Sequence, residues 1–207
     1  GDDYIDTGAG DDTALGGTGN DTLLGQAGDD TLNGQGGNDV VQGSDGNDTS
    51  VWEGTGGGND SINDPFGDNT LLVNGNGAAN NFVIGKTVED QLRISESGKS
   101  VTVGPNFNRV AVNGNNGNDT ITVGNLEDIP GVLIEVFGGN GNDSINASGA
   151  LVGNVRLSLN GDAGNDTIFG SEDADTVVGG DGNDLLYGNA GDDTMIAGDG
   201  NDNLYGQ

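Results

Sequence analysis

Apolar residues enter this chain singly and at a fixed interval. Ile5, Ala14, Leu23, Leu32 and Val41 fall nine residues apart, and Ile168, Val177, Leu186, Met195 and Leu204 keep the same beat further on. Ile62, Leu71, Ile121 and Ile145 share the local setting but not the strict spacing. Ser50 is the polar exception, followed by Val51 and Trp52. One apolar position in nine cannot form an amphipathic helix, which needs apolar residues at three- and four-residue steps. The Gly and Asn/Asp clusters in between would also break a helix. Short strands alternating with polar turns fit instead. Each strand points one side chain inward and its neighbours outward. Stacked in parallel, such strands predict two thin sheets with a narrow file of Leu, Ile and Val between them.

Two places before each apolar residue stands the last member of a Gly-(Asn/Asp)-Asp tripeptide. Asp3, Asp12, Asp21, Asp30, Asp39 and Asp48 mark it without error. Asp60 arrives three residues late, which predicts a bulge or loop near "VWEGTGG" (51–57), with Trp52 plugging the break. The next marker, Gly67-Asp68-Asn69, ends in an amide. The tripeptide returns at Asp119, Asp143 and Asp166, then at Asp175 (a degenerate copy, with Asp173 in place of a turn Gly), Asp184, Asp193 and Asp202.

Composition alone suggests disorder. Apolar residues make up 31% of the chain, 34 acidic residues face 5 basic ones for a net charge of −29, and 43 of 207 residues are Gly. Low apolar content with high net charge opposes folding, but a strict period lets repeats stack and bury a core collectively. The charge predicts attraction of cations and repulsion of nucleic acid and of anionic membranes. Without His or Cys, His-dependent triads, thiol catalysis and disulfides are excluded, and no catalytic site is expected. The chain begins and stops inside repeats, so both ends are expected to be cuts from a larger parent chain.

"GGTGNDTLL" (16–24), "GGNGNDSIN" (138–146) and "GGDGNDLLY" (179–187) resemble the nonapeptide of the RTX (hemolysin-type) calcium-binding repeats. The resemblance implies an all-β parallel β-roll, or β-solenoid. In it, alternate turns share an edge and Ca²⁺ lies between each turn and the next on that edge. Marker carboxylates and turn carbonyls would be the ligands, as suits a hard cation taking six to eight oxygens. The implied pairs are Asp3 with Asp21, Asp12 with Asp30, Asp21 with Asp39, and Asp30 with Asp48. The second run gives Asp166 with Asp184, Asp175 with Asp193, and Asp184 with Asp202. Partial sites are expected near Asp60, Asp119 and Asp143, and a weak or lost site at Asn69. The resemblance further implies a bacterial protein secreted unfolded and folded by extracellular calcium. The alternatives are a structural segment of an adhesin, surface layer or filament, with end-to-end self-association, and the accessory domain of a secreted enzyme.

Four regions are expected: calcium-binding runs at 1–73 and 161–207, a β-rich non-repeat insertion at 74–113, and a transitional β region at 114–160 with isolated repeat turns. Four of the five basic residues (Lys86, Arg93, Lys99 and Arg109) lie in 74–113. There "NFVIG" (81–85), "QLRIS" (91–95), "SVTVG" (100–104) and "RVAVN" (109–113) alternate apolar and polar residues, and "SESGKS" (95–100) predicts a hairpin turn. The segment is either an antiparallel insertion beside the roll or calcium-free rungs of the solenoid. In the transitional region, "GVLIEVF" (131–137) and "NVRLSLN" (154–160) predict strands.

Overall fold

The computed structural model describes residues 1–129, 131–150, 153 and 155–206. Asn154 at the head of the stretch 154–160, and Gln207, where the chain is expected to be cut, lie outside the described residues. The elements in chain order are β1 (Tyr4–Asp6), β2 (Thr13–Thr18), β3 (Thr22–Ala27), β4 (Thr31–Gly36), β5 (Val40–Asp45), β6 (Thr49–Trp52), α1 (Gly54–Gly57), β7 (Asn59–Ile62), β8 (Asn69–Asn74), β9 (Asn81–Lys86), β10 (Leu92–Glu96), β11 (Lys99–Val103), β12 (Phe107–Asn113), β13 (Thr120–Val123), β14 (Leu133–Asn140), β15 (Ser144–Asn146), β16 (Arg156–Ala163), β17 (Thr167–Phe169), β18 (Thr176–Asp181), β19 (Leu185–Asn189), β20 (Thr194–Asp199) and β21 (Asn203–Gly206).

Strands alternate between two sheets, making an all-β parallel solenoid. Sheet A runs β1-β3-β5-β7-β11-β10-β9-β13-β15-β17-β19-β21, and sheet B runs β2-β4-β6-β8-β12-β14-β16-β18-β20. In the regular runs each residue sits over the one eighteen places on, as Leu23 over Val41 and Ala14 over Leu32. That register stacks like on like. Leu23, Leu32, Val41, Leu71, Ile121, Ile145, Ile168, Val177 and Leu186 are all buried, and Ser50 is buried among them. Outward side chains stack too: the rings of Phe169, Tyr187 and Tyr205 lie parallel at 4.6 and 4.9 Å. The late marker at Asp60 is accommodated by the single helical turn α1, and Trp52 beside it is fully buried.

The segment 74–113 enters the solenoid itself. From β8 the chain crosses to sheet A ahead of the growing edge, as β9, which pairs in parallel with β13. It then folds back through β10, antiparallel to both β9 and β11, and β11 pairs in parallel with β7. The β10–β11 turn is the one expected at 95–100: Glu96 pairs with Lys99, and Ser97 and Gly98 both take positive φ, as a two-residue hairpin requires. Sheet A therefore holds three strands between β7 and β13 where sheet B holds only β12 between β8 and β14. At ~4.8 Å per strand, sheet A is longer there by about 10 Å. The connection from β13 to β14 contributes Leu126, Ile129 and Val132 to the core at this wider part.

Packing differs along the axis. In the regular runs a strand buries one apolar side chain, and the next inward position is Gly: Leu23 then Gly25, Leu32 then Gly34, Val41 then Gly43. In the middle that next position is apolar: Phe82 and Ile84, Ile94 after Leu92, Val103 after Val101, Val112 after Val110, Val136 after Ile134. Each extra buried Val or Ile is worth roughly 1.5–3 kcal/mol. One apolar core runs through the solenoid, thick in the middle and thin in the flanking runs. With divalent cations chelated, amide exchange measured by mass spectrometry is expected to be slow in β12 and β14 and fast in β3, β4 and β5. Uniform protection along the chain would contradict this.

Candidate metal centres on the turn edges

The turns form two edges. Asp3, Asp21, Asp39, Asn80, Asp119, Asp143, Asp166, Asp184 and Asp202 immediately precede strands of sheet A, and Asp60 lies at the start of β7 in that sheet. Asp12, Asp30, Asp48, Asp175 and Asp193 immediately precede strands of sheet B, and Asn69 is the first residue of β8. Within each edge one contact recurs: the backbone N–H of a marker residue donates to Oδ1 of the next marker on its edge. It joins Asp3 to Asp21 (2.7 Å), Asp21 to Asp39 (2.8 Å), Asp12 to Asp30 (2.9 Å) and Asp30 to Asp48 (2.8 Å). In the later run it joins Asp166 to Asp184 (2.8 Å), Asp184 to Asp202 (2.8 Å) and Asp175 to Asp193 (3.0 Å). These are the seven expected pairs.

The same bond also joins Asp39 to Asp60, Asp119 to Asp143 and Asp143 to Asp166. Asp60, Asp119 and Asp143 are therefore full members of one edge. Spacings of 21, 24 and 23 residues hid this in the sequence. For Asp60 the extra residues form α1 on the same edge, whereas for Asp143 and Asp166 they loop out on the opposite side. Between β13 and β14, and between β15 and β16, the sheet B edge carries buried apolar residues such as Leu126, Ile129, Ala147 and Ala150 in place of marker turns.

The second carboxylate oxygen carries the chemistry. Oδ2 of Asp21, Asp30, Asp39, Asp48, Asp119, Asp143, Asp166 and Asp184 is buried and accepts no hydrogen bond. A buried carboxylate without donors or a counter-charge is costly. These Oδ2 atoms face the gaps between stacked turns, and beside Asp21, Asp30, Asp119, Asp143, Asp166 and Asp184 a main-chain carbonyl of the next turn approaches the same place. A Cβ on Gly16 would stand 2.6 Å from Asp21 Oδ2 and 2.7 Å from the Gly34 carbonyl oxygen. Gly161 is placed in the same way against Asp166 Oδ2 and the Gly179 carbonyl. Glycine here leaves the gap open to oxygen ligands. At Gly37, φ is +145° and a Cβ would collide with the Gly19 carbonyl, so stacking of the turns themselves demands glycine. Among the described residues no three acidic, His or Cys side chains converge. Each gap offers two carboxylates, completed by main-chain oxygens, a donor set that fits Ca²⁺.

Burial raises these carboxyls above their ordinary range. It pushes Asp60 and Asp166 up to about 7, against hydrogen bonds from the backbones of Asp39 and Asp143. Burial likewise raises Asp30, Asp39, Asp119, Asp143, Asp175 and Asp184. The degenerate turn behaves differently. Asp173 avoids positive φ, and Asp175 Oδ2 accepts from the Ser171 N–H (2.5 Å) and hydroxyl (2.8 Å), leaving Oδ1 without a donor.

Two amides stand at marker positions beside the 74–113 segment. Asn69 Oδ1 takes the ladder bond from Asp48 N–H (2.8 Å), while its Nδ2 donates to the Phe66 carbonyl. Asn80 donates its N–H to Asp119 Oδ1 (2.6 Å) and its Nδ2 to Glu96 Oε1 (2.8 Å). Asn80 escaped the sequence reading because its repeat, "GNGAANNFV" (75–83), lacks the acid. Gly75, Gly77 and the apolar Phe82 were the available signal. Two buried acids outside the marker positions, Asp64 and Glu96, each present an oxygen with no donor. Nothing in the nine-residue pattern points to either.

A family model described as the RTX calcium-binding nonapeptide repeat, in four copies, matches residues 1–14, 15–49, 112–129, 135–150, 158–186 and 178–207. No curated protein matches the chain. The matched stretches cover more than half the sequence and coincide with the stacked marker turns. The chain belongs to the RTX calcium-binding nonapeptide-repeat family.

Proposed function

We propose that this chain is a calcium-folded module of a larger secreted bacterial protein, with Ca²⁺ bound between successive turns of each edge. The observation that carries this reading is the row of buried Oδ2 atoms without donors, each held in place by a ladder bond through Oδ1 and set in a gap kept open by glycine, with a main-chain carbonyl facing most of them. The ligands are Asp3, Asp12, Asp21, Asp30, Asp39, Asp48, Asp60, Asp119, Asp143, Asp166, Asp175, Asp184, Asp193 and Asp202. The bound ion supplies positive charge between paired carboxylates, so binding free energy becomes folding free energy. The module stays open in a low-calcium cytosol and closes outside the cell. Its role is structural; the reading assigns it no catalysis. No helix among the described residues is long and apolar enough to cross a membrane.

Circular dichroism in chelator is expected to show a largely disordered signal that gains β character as calcium is added. A spectrum already β-rich in chelator and unmoved by calcium would sink the reading.

Asp21 borders two gaps, one toward Asp3 and one toward Asp39. Asp21→Ala is therefore expected to lower the ion count by two in titration calorimetry. Retention of the full count at unchanged affinity would refute this pairing.

The raised carboxyls set a pH dependence. Without metal, protonation of Asp60 and Asp166 favours the fold below their ordinary value of about 4. That advantage is lost as pH rises through about 7. In chelator, β content is expected to fall from pH 4 to 7. In saturating calcium the trend should reverse, because protons compete with the ion. Stability in chelator that climbs over this range would contradict the assignment.

A further inference from the structure

The turn 64–69 breaks the repeat at both of its defining positions. Its last residue is Asn69 instead of Asp, and its first is Asp64 where turns such as 16–21 and 34–39 have Gly. It also lies in the stretch the family model does not match, between residues 49 and 112. Asn69 keeps the ladder through Oδ1, but its other side-chain atom is an amide nitrogen that donates to Phe66 and Asn106 carbonyls. That atom repels a cation where a marker Asp would bind one.

Asp64 reaches the same gap from the other end of the turn. It is fully buried, and its Oδ1 accepts from the Ser44 N–H at 3.0 Å. Its Oδ2 accepts no hydrogen bond and points at Asp48 Oδ2, which is also buried and without a donor. A Cβ on Gly43 would collide with both oxygens. In the regular gap before it on this edge, the corresponding place beside Gly25 is shared by Asp30 Oδ2 and the Gly43 carbonyl. Asp64 thus sets a carboxylate oxygen where a regular turn sets a main-chain carbonyl. Two buried carboxylate oxygens converging with no cationic or donor group between them point to a metal ligand set rather than a packing accident.

We propose that Asp64 supplies the charge that Asn69 withholds, so that the gap between turns 43–48 and 64–69 binds a calcium ion through Asp48 and Asp64. It departs from the expectation that a site at Asn69 is weak or lost, and it rests on the calcium reading above. It extends the metal-bound row of the sheet B edge by one gap, up to the start of the 74–113 segment. The ligand has changed position within the turn while the charge in the gap is conserved.

The test measures ion stoichiometry on the full chain, by equilibrium dialysis with elemental analysis and by calorimetry. Asp64→Asn keeps the bond from Ser44 and removes the charge. It is expected to fold in saturating calcium, by circular dichroism, and to bind one ion fewer than the parent. The double variant Asp64→Asn with Asn69→Asp returns the acid to the marker position and is expected to regain that ion. A parent-like count in Asp64→Asn, as a proton shared between Asp48 and Asp64 would give, overturns the proposal; so does a double variant still one ion short. Should Asp64→Asn fail to fold, the double variant decides: folded with the parent count supports the proposal, and unfolded or one ion short overturns it. A parent chain that binds no calcium sinks the functional reading as a whole, whereas calcium binding unaffected by Asp64 sinks only this inference.

Discussion

Successive turns on an edge are joined by a bond from a backbone N–H to the carboxylate of the turn beyond it, and that bond makes the carboxylate a fixture of the interior. One oxygen is satisfied and the other is held in the gap between turns. Because the turns repeat in register, each such oxygen lies near those of its neighbours along the edge. Low-dielectric surroundings amplify the penalty for each unpaired anion unless a cation enters the gap or a proton neutralises it. Much of the remaining sequence follows from keeping those gaps open. Glycine lines them because a Cβ would fill them, as at Gly16 and Gly161. Other glycines close the turns, because carbonyls of the turn below approach too near for any side chain, as at Gly37.

The inward position after each core residue shows what this costs. Where it is Gly, the strand buries one apolar side chain and the turn keeps a gap open. Where it is Ile, Val or Leu, the strand buries two and depends less on any ion in the turns. Leu23 with Gly25 and Phe82 with Ile84 are the two solutions in one chain. The middle is accordingly nearly neutral and apolar, with Lys86 paired to Asp90 and Asp128, and Arg109 to Glu135. From β13 to β17 both solutions coexist on opposite sides of one rung. The sheet A edge keeps Asp119, Asp143 and Asp166 in its ladder, while the sheet B edge is closed by Leu126, Ile129 and Ala147.

With the family resemblance supplying the pairing of markers eighteen residues apart, the nine-residue period made the strands and the inward file legible from sequence, because one physical unit repeats in one register. It failed where the register is kept by space and not by count. Asp119 and Asp143 looked isolated because apolar loops on the far edge lengthen the interval between them, yet their backbone bond is the same as in the strict runs. The meander β9–β10–β11 was legible as alternating strands with a two-residue turn. Its place was not, because nothing local to 74–113 says that β9 must land three strands ahead of β7 and fill in backwards. Asp64 and Glu96 were invisible to a marker-based reading for a related reason: each is a buried acid at a position where the repeat has none.

Both amides at marker positions adjoin the 74–113 segment, Asn69 beside β12 and Asn80 ahead of β9, and each has a buried acid close by. For Asn80 the neighbour is Glu96, which comes from the antiparallel strand β10 and not from a turn at all. A plain loss of acid at Asn69 would leave the Oδ2 of Asp48 as a buried charge facing a neutral gap. Asp119 is not exposed in that way, because its Oδ2 faces the Gly138 carbonyl and the turn that carries Asp143. With Asp64 as proposed, the gap beyond Asp48 carries the same two carboxylates as a regular one, and the first run ends without an uncompensated charge, which accounts for an acid that moves within the turn and does not simply disappear.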